Sequence, residues 1–151
     1  MKAIETTYNG YRFRSRLEAR WAVFFDELGI SWEYEPEGFE FPNGVRYLPD
    51  FKVGNRWVEI KPEAPSWEEE FKMCCLVSST KLSGMILSGS PGKQRMFFFE
   101  ADGSPLMEEA RPQATREYIA ALVGLMLSEK SFELGNVQAA INKSRSARFY
   151  E

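Results

Sequence analysis

Asp50, Glu59 and Lys61 are spaced so that two carboxylates and an amine can meet. They lie in RYLPDFKVGNRWVEIKP, residues 46–62, which reads as two strands over 46–53 and 56–61 turned at Gly54-Asn55. A two-residue turn there sets Val53 against Arg56, Phe51 against Val58 and Asp50 against Glu59. Directly opposed residues have Cβ atoms roughly 4.5–5.5 Å apart, and like charges at that spacing are destabilising. A hard divalent cation removes the penalty: Mg2+ binds carboxylate oxygens, keeps several waters and suits phosphate substrates. Lys61 follows Glu59 by two and projects on the same side, where its ammonium can stabilise charge on a phosphate or hold an attacking water. The bland alternative is a solvated acid pair flanked by Lys52 and Lys61, and the hairpin alone leaves both open.

The rest of the composition narrows the chemistry. The 151 residues include no His, which removes His-based triads and the usual general base. Only two cysteines occur, the neighbours Cys74 and Cys75, so neither a disulfide framework nor a structural zinc site is expected. Enzymatic chemistry would rest on carboxylates, Lys, Tyr, Ser or a hard metal. The net charge of -3 exerts no global pull toward nucleic acid, although a local basic patch suffices for binding. The N-terminal MKAIETTYNGYRFRSR is too polar for a signal sequence, and no apolar run approaches the ~20 residues of a membrane span. The expectation is a cytoplasmic protein with no membrane partner.

Several elements must position the acids. Asn9-Gly10 marks a small hairpin or ordered arm over residues 6–13. A helix is predicted over 15–28, capped by Ser15 with Glu18 three residues on, and ended by Gly29. Its stripe of Leu17, Trp21, Phe24 and Leu28 faces the core, with Glu18 at the stripe's edge. SWEYE, residues 31–35, reads as a strand that FEF, 39–41, resumes. A second helix is predicted over 66–82, capped by Ser66, and buried strands over 84–88 and 95–100. Helices over about 112–129, with Tyr118, Leu122, Leu125 and Met126 on its apolar side, and over about 137–148 complete the chain. A helix between strands 56–61 and 84–88 suits a crossover joining parallel strands. The fold class is therefore α/β or α+β, one domain over residues 1–151 around one mixed sheet, with a core at about 10–100 and a helical extension at about 112–150.

Leu48-Pro49-Asp50 followed by Val58-Glu59-Ile60-Lys61 resembles the PD-(D/E)XK nucleases, the restriction-endonuclease-like superfamily. The helix RSRLEARWAVFFDELGI adds Phe13, Ser15 and Glu18, similar to the F-x-S-x-x-E pattern of small phage-type and resolvase-like members. The likeness runs from about residue 10 to 90. It implies a restriction-endonuclease-like core and a metal-dependent deoxyribonuclease, an endonuclease acting through water activated by Mg2+ or Mn2+. By that resemblance Glu18, Asp50, Glu59 and Lys61 are catalytic, and Glu18, Asp50, Glu59 and the carbonyl of Ile60 are metal ligands. The implied partner is DNA, branched or single-stranded included, with a homodimer left open. A ribonuclease on the same scaffold, or a silent module that binds nucleic acid or protein, are the rival readings.

Arg12, Arg14, Arg16 and Arg20 cluster around the start of the first helix and can grip phosphates, or can simply solvate that face. Lys143, Arg145 and Arg148 read as a cation-rich helix end. Trp57 is expected to pack, under the first helix, in preference to stacking on a nucleotide.

Overall fold

The computed structural model describes residues 3–101, 105–106, 120, 123–124, 127–128 and 130–149. The chain divides into two compact units, each assembled from stretches far apart in sequence. One takes Met1–Ser31, Gly89–Gln94 and Pro112–Glu151, and the other Trp32–Ser88 and Arg95–Arg111.

The first unit opens with the hairpin announced by Asn9-Gly10. β1 (Thr6–Tyr8) pairs antiparallel with β2 (Tyr11–Phe13). Both turn residues have positive φ, 51° at Asn9 and 80° at Gly10, the conformation a two-residue hairpin turn selects. α1 (Arg16–Glu27) follows, with Ser15 as its cap. Trp21, Phe24 and Phe25 are fully buried along it, and the Trp21 indole donates to the Gly89 carbonyl at 2.9 Å.

The second unit holds the sheet. It contains β3 (Glu33–Tyr34), β6 (Phe51–Val53), β7 (Arg56–Lys61), β8 (Gly84–Ser88), β9 (Arg95–Phe99) and β10 (Pro105–Leu106), in the spatial order β10-β9-β8-β7-β6-β3. β7 and β8 are parallel, while the other neighbours run antiparallel. The parallel pair is joined by α2 (Trp67–Thr80), as the crossover reading expects. The class is thus mixed α and β around a central mixed sheet.

Three local expectations need correction. Residues 46–53 are not one strand. Arg46–Tyr47, β5, pairs instead with Phe39–Glu40, β4, in a separate ribbon. Pro49 lacks the N–H a continuing ladder needs. Residues 39–41 likewise do not resume the sheet strand. Glu35, at φ 44°, followed by Pro36, turns the chain out of it. Trp57 packs under α2 rather than under α1, with Met73, Leu76, Val77 and Phe97, and its indole donates to Thr80 Oγ1 at 3.0 Å.

Both faces of β7 are buried. Val58 and Ile60 face one way, Trp57 and Glu59 the other, and none is more than 6% exposed. β8 is buried throughout, and α2 lies close above its first residue. A Cβ on Gly84 would stand 2.5 Å from Met73 Sδ and 2.9 Å from Val77 Cγ1. Only glycine permits that approach, because Val77 is β-branched and stiff.

α3 (Leu134–Ser146) belongs to the first unit and packs on α1. It starts and ends two or three residues before the sequence suggests. Of the helix expected at 112–129, Ala120, Val123, Gly124, Leu127 and Ser128 are helical. Tyr118, Leu122, Leu125 and Met126 lie outside the described residues.

Gly84→Ala should therefore lower stability by about 1–3 kcal/mol, the usual penalty for overpacking. The check is a shift of the urea midpoint with an unchanged slope.

Candidate active site

The turn at Gly54-Asn55 carries the register that the acids require. Gly54 has φ 60°, and the pairs Val53 with Arg56 and Phe51 with Val58 form as expected. Ladder bonds alternate along an antiparallel pair. Counted outward from the turn, residues 49 and 60 are the next that should exchange backbone hydrogen bonds, and residue 49 is proline. Proline has no N–H for the Ile60 carbonyl, and the Ile60 N–H donates to Asp50 Oδ2 at 2.8 Å. Reciprocally, the Asp50 N–H donates to Glu59 Oε1 at 2.9 Å. Each carboxylate thus bonds the backbone of the opposite segment. The Asp50 carbonyl in turn accepts from Glu35 N–H at 2.7 Å, tying the same residue to the neighbouring strand.

Burial makes these bonds necessary. Glu59 is 6% exposed, and a carboxylate taken out of water must find donors. Besides the Asp50 amide it receives the Tyr47 hydroxyl. Burial pushes the Tyr47 phenol well above its ordinary range, and the Glu59 carboxylate, its hydrogen bond, and the charges of Asp50 and Glu69 add to that. The phenol therefore remains a donor throughout the ordinary pH range.

Lys61 Nζ lies 3.8 Å from Glu59 Oε2 and 2.7 Å from Glu69 Oε2. Burial alone would lower its pKa. The Glu69 hydrogen bond and the charges of Glu59, Glu69 and Asp50 outweigh burial and raise it, so Lys61 is a cation here. For Glu69, burial works toward a higher pKa but loses to the Lys61 and Ser66 contacts, and the net shift is downward.

Tyr47 and Glu69 are absent from the set read from sequence. Glu69 had a signal: Ser66-x-x-Glu69 is a capping box, and both of its bonds form. Tyr47 had none, since it precedes the strand break and belongs to a different ribbon.

Glu18 belongs to the first unit. It is buried there, accepting the Ser15 hydroxyl at 2.9 Å, while its own N–H donates to Ser15 Oγ at 3.1 Å. The four arginines around the start of α1 divide. Arg12 pairs with Glu5 at 2.9 Å on the surface, and Arg14 and Arg16 are exposed. Arg20 donates to the carbonyls of Ser144 and Arg145 at 2.8 and 2.7 Å, closing the end of α3, so its guanidinium is occupied within the fold.

Among the described residues no group of three acids, cysteines or histidines is placed to hold a metal. The sheet unit offers the pair Asp50 and Glu59. Two hard carboxylates fixed by backbone bonds fit Mg2+ or Mn2+, which are held through one or two carboxylates with the remaining positions left to water and phosphate oxygens. They do not fit zinc, which in structural sites wants four protein ligands. Ile60 enters the arrangement through its N–H on Asp50. No helix among the described residues is long and apolar enough to cross a membrane. No protein-family model matches the chain, and no curated protein matches it in sequence.

Tyr47→Phe should cost about 1.5–3 kcal/mol, since it strips a buried carboxylate of a donor. Glu69 supplies a pH test. Its folded pKa is depressed, so its contribution is full above the unfolded value near 4.3 and is lost as pH falls through the folded one. Glu69→Gln should accordingly flatten the fall of the urea midpoint below about pH 4.5.

Proposed function

We propose that the chain is a metal-dependent nuclease of the PD-(D/E)XK type that hydrolyses phosphodiester bonds in DNA. The observation that carries this reading is the reciprocal clasp of Asp50 and Glu59, which sets two carboxylates side by side next to a charged lysine. Asp50 and Glu59 would hold Mg2+ or Mn2+, with the Ile60 carbonyl as a further ligand. Bound there, the ion supplies an activated water and offsets phosphate charge. Lys61 orients the water or stabilises the negative charge that builds on the phosphate. Tyr47 keeps the Glu59 carboxylate oriented.

Arg12, Arg14 and Arg16 are exposed and would meet the DNA backbone, whereas Arg20 is structural. A cut made without base readout suits a substrate recognised by shape, such as branched or single-stranded DNA. Cutting both strands of a duplex with one site per chain would require a symmetric dimer.

One observation favours a second reading. Acids assemble as a pair and not as a trio among the described residues, which suits a module that grips nucleic acid without cutting it.

The deciding experiment incubates plasmid, branched DNA, single-stranded DNA and RNA with Mg2+ or Mn2+. Cleavage of DNA is expected, abolished by a chelator and by Asp50→Ala, and reduced at least about 100-fold by Lys61→Ala. No cleavage together with no Mn2+ binding by calorimetry hands the case to the gripping module, and cleavage of RNA alone to a ribonuclease.

The arginines give a separate test. Arg16→Ala should weaken DNA binding and reduce the salt slope by about one. Arg20→Ala should lower the melting temperature and leave the salt slope unchanged.

A further inference from the structure

Lys61 carries its charge on a flexible four-carbon stem, which in water samples many rotamers. Here its side chain is 27% exposed, and the nearest anion to its ammonium is not a hairpin acid but Glu69 on α2, 2.7 Å away. Glu69 is itself fixed. Its Oε1 accepts the Ser66 N–H at 2.8 Å, and its own N–H donates to Ser66 Oγ at 3.2 Å. One carboxylate thus closes the first turn of the helix with one oxygen and holds the lysine with the other. Most surface ion pairs gain little, because two long side chains must be ordered to form them. In this pair the cap has already ordered the acid, so only the lysine loses freedom.

The connection is short and stiff. Only residues 62–65 separate Lys61 from Ser66, and both Pro62 and Pro65 restrict the backbone. The end of β7 and the start of α2 are therefore held together from two directions. Glu68 and Glu70 do not substitute for Glu69, since each is turned about 100° away around the helix.

We propose that Glu69 is a positioning residue for Lys61: the cap of α2 aims the ammonium at the Asp50–Glu59 pair and, on the nuclease reading on which this rests, at the phosphate being cut. Glu69 acts through Lys61 and touches neither substrate nor metal. The capping box then does two things at once, starting a helix and setting the direction of a functional cation.

The test uses the full chain carrying Glu69→Gln. Glutamine still accepts the Ser66 N–H, so the cap survives while the charge on the lysine's partner is gone. In wild-type protein the Lys61 ammonium should give its own slowly exchanging nitrogen-resolved NMR signal, assigned by its loss in Lys61→Ala. In Glu69→Gln that signal should merge with the solvent-exposed lysines. Cleavage in Mn2+ should fall by about 10- to 100-fold in kcat, the cost of misplacing a catalytic group. The KM for DNA and the Mn2+ affinity should stay within about twofold, because the interaction lost is one made in the transition state. Ser66→Ala should lower the melting temperature while leaving the Lys61 signal in place, which a purely structural role for Glu69 would not separate. A Lys61 signal unchanged in Glu69→Gln overturns the proposal, as does wild-type kcat in Glu69→Gln where Lys61→Ala is inactive. A wild type that cuts nothing, with the Lys61 signal still dependent on Glu69, defeats the nuclease reading and leaves the positioning contact supported.

Discussion

The arrangement depends on a proline where a sheet needs an amide. Pro49 cannot donate to the ladder between β6 and β7, so the regular pairing stops there, and the Ile60 N–H donates to the Asp50 carboxylate. Glu59 answers by accepting the Asp50 N–H. Two acids that should repel are thereby each given a backbone donor, and the hairpin keeps its register past the last regular pair. Acidic residues facing one another across strands are ordinarily a cost. Here each of the same side chains accepts a backbone N–H across the pair, so the cost is offset inside the fold before any ligand arrives. The Pro-Asp dipeptide is thus a structural unit in which the imino acid ends the regular ladder and the next carboxylate carries a further bond between the strands.

The electrostatic neighbourhood follows from burial of β7 on both faces. A strand so covered ordinarily reads as a continuous apolar run, and Glu59 interrupts it. The interruption is tolerated because Tyr47, the Asp50 amide and Lys61 surround the carboxylate with donors. Lys61 in turn lies between two anions, and the nearer of them, Glu69, stands in the first turn of the crossover helix. Hairpin and ribbon each contribute a contact to one buried charge, and the helix cap holds the lysine beside it, as a polar network in a low-dielectric setting requires.

What the amino-acid order reveals by itself is largely local. Asn9-Gly10, Ser15 and Gly54-Asn55 announce their turns and cap directly, because backbone geometry at those points is settled by one or two residues. The register of the hairpin follows from the length of its turn, and the crossover follows from a helix between two buried strands. The division of 46–53 into a ribbon strand and a sheet strand was less accessible. Alternation continues through the break, and only the missing N–H of Pro49 marks it. Tyr47 and Glu69 reach the acids through tertiary folding, from a ribbon and from a helix that periodicity treats as separate. Arg20 illustrates the reverse: by type and position it resembles its exposed neighbours, yet helix packing commits it to the carbonyls that end α3.

The short segment Gly89–Gln94 joins β8 to β9 but belongs with α1, while the strands on either side belong to the sheet. Each unit is therefore interrupted by the other along the chain. No single truncation can yield an intact half, and the acid hairpin cannot be expressed as a contiguous minimal fragment that keeps its whole sheet and nothing else. Dissection of this molecule has to proceed by point substitution or by re-linking distant segments, and during synthesis the sheet unit cannot finish assembling before the stretch that follows Gln94 has been made.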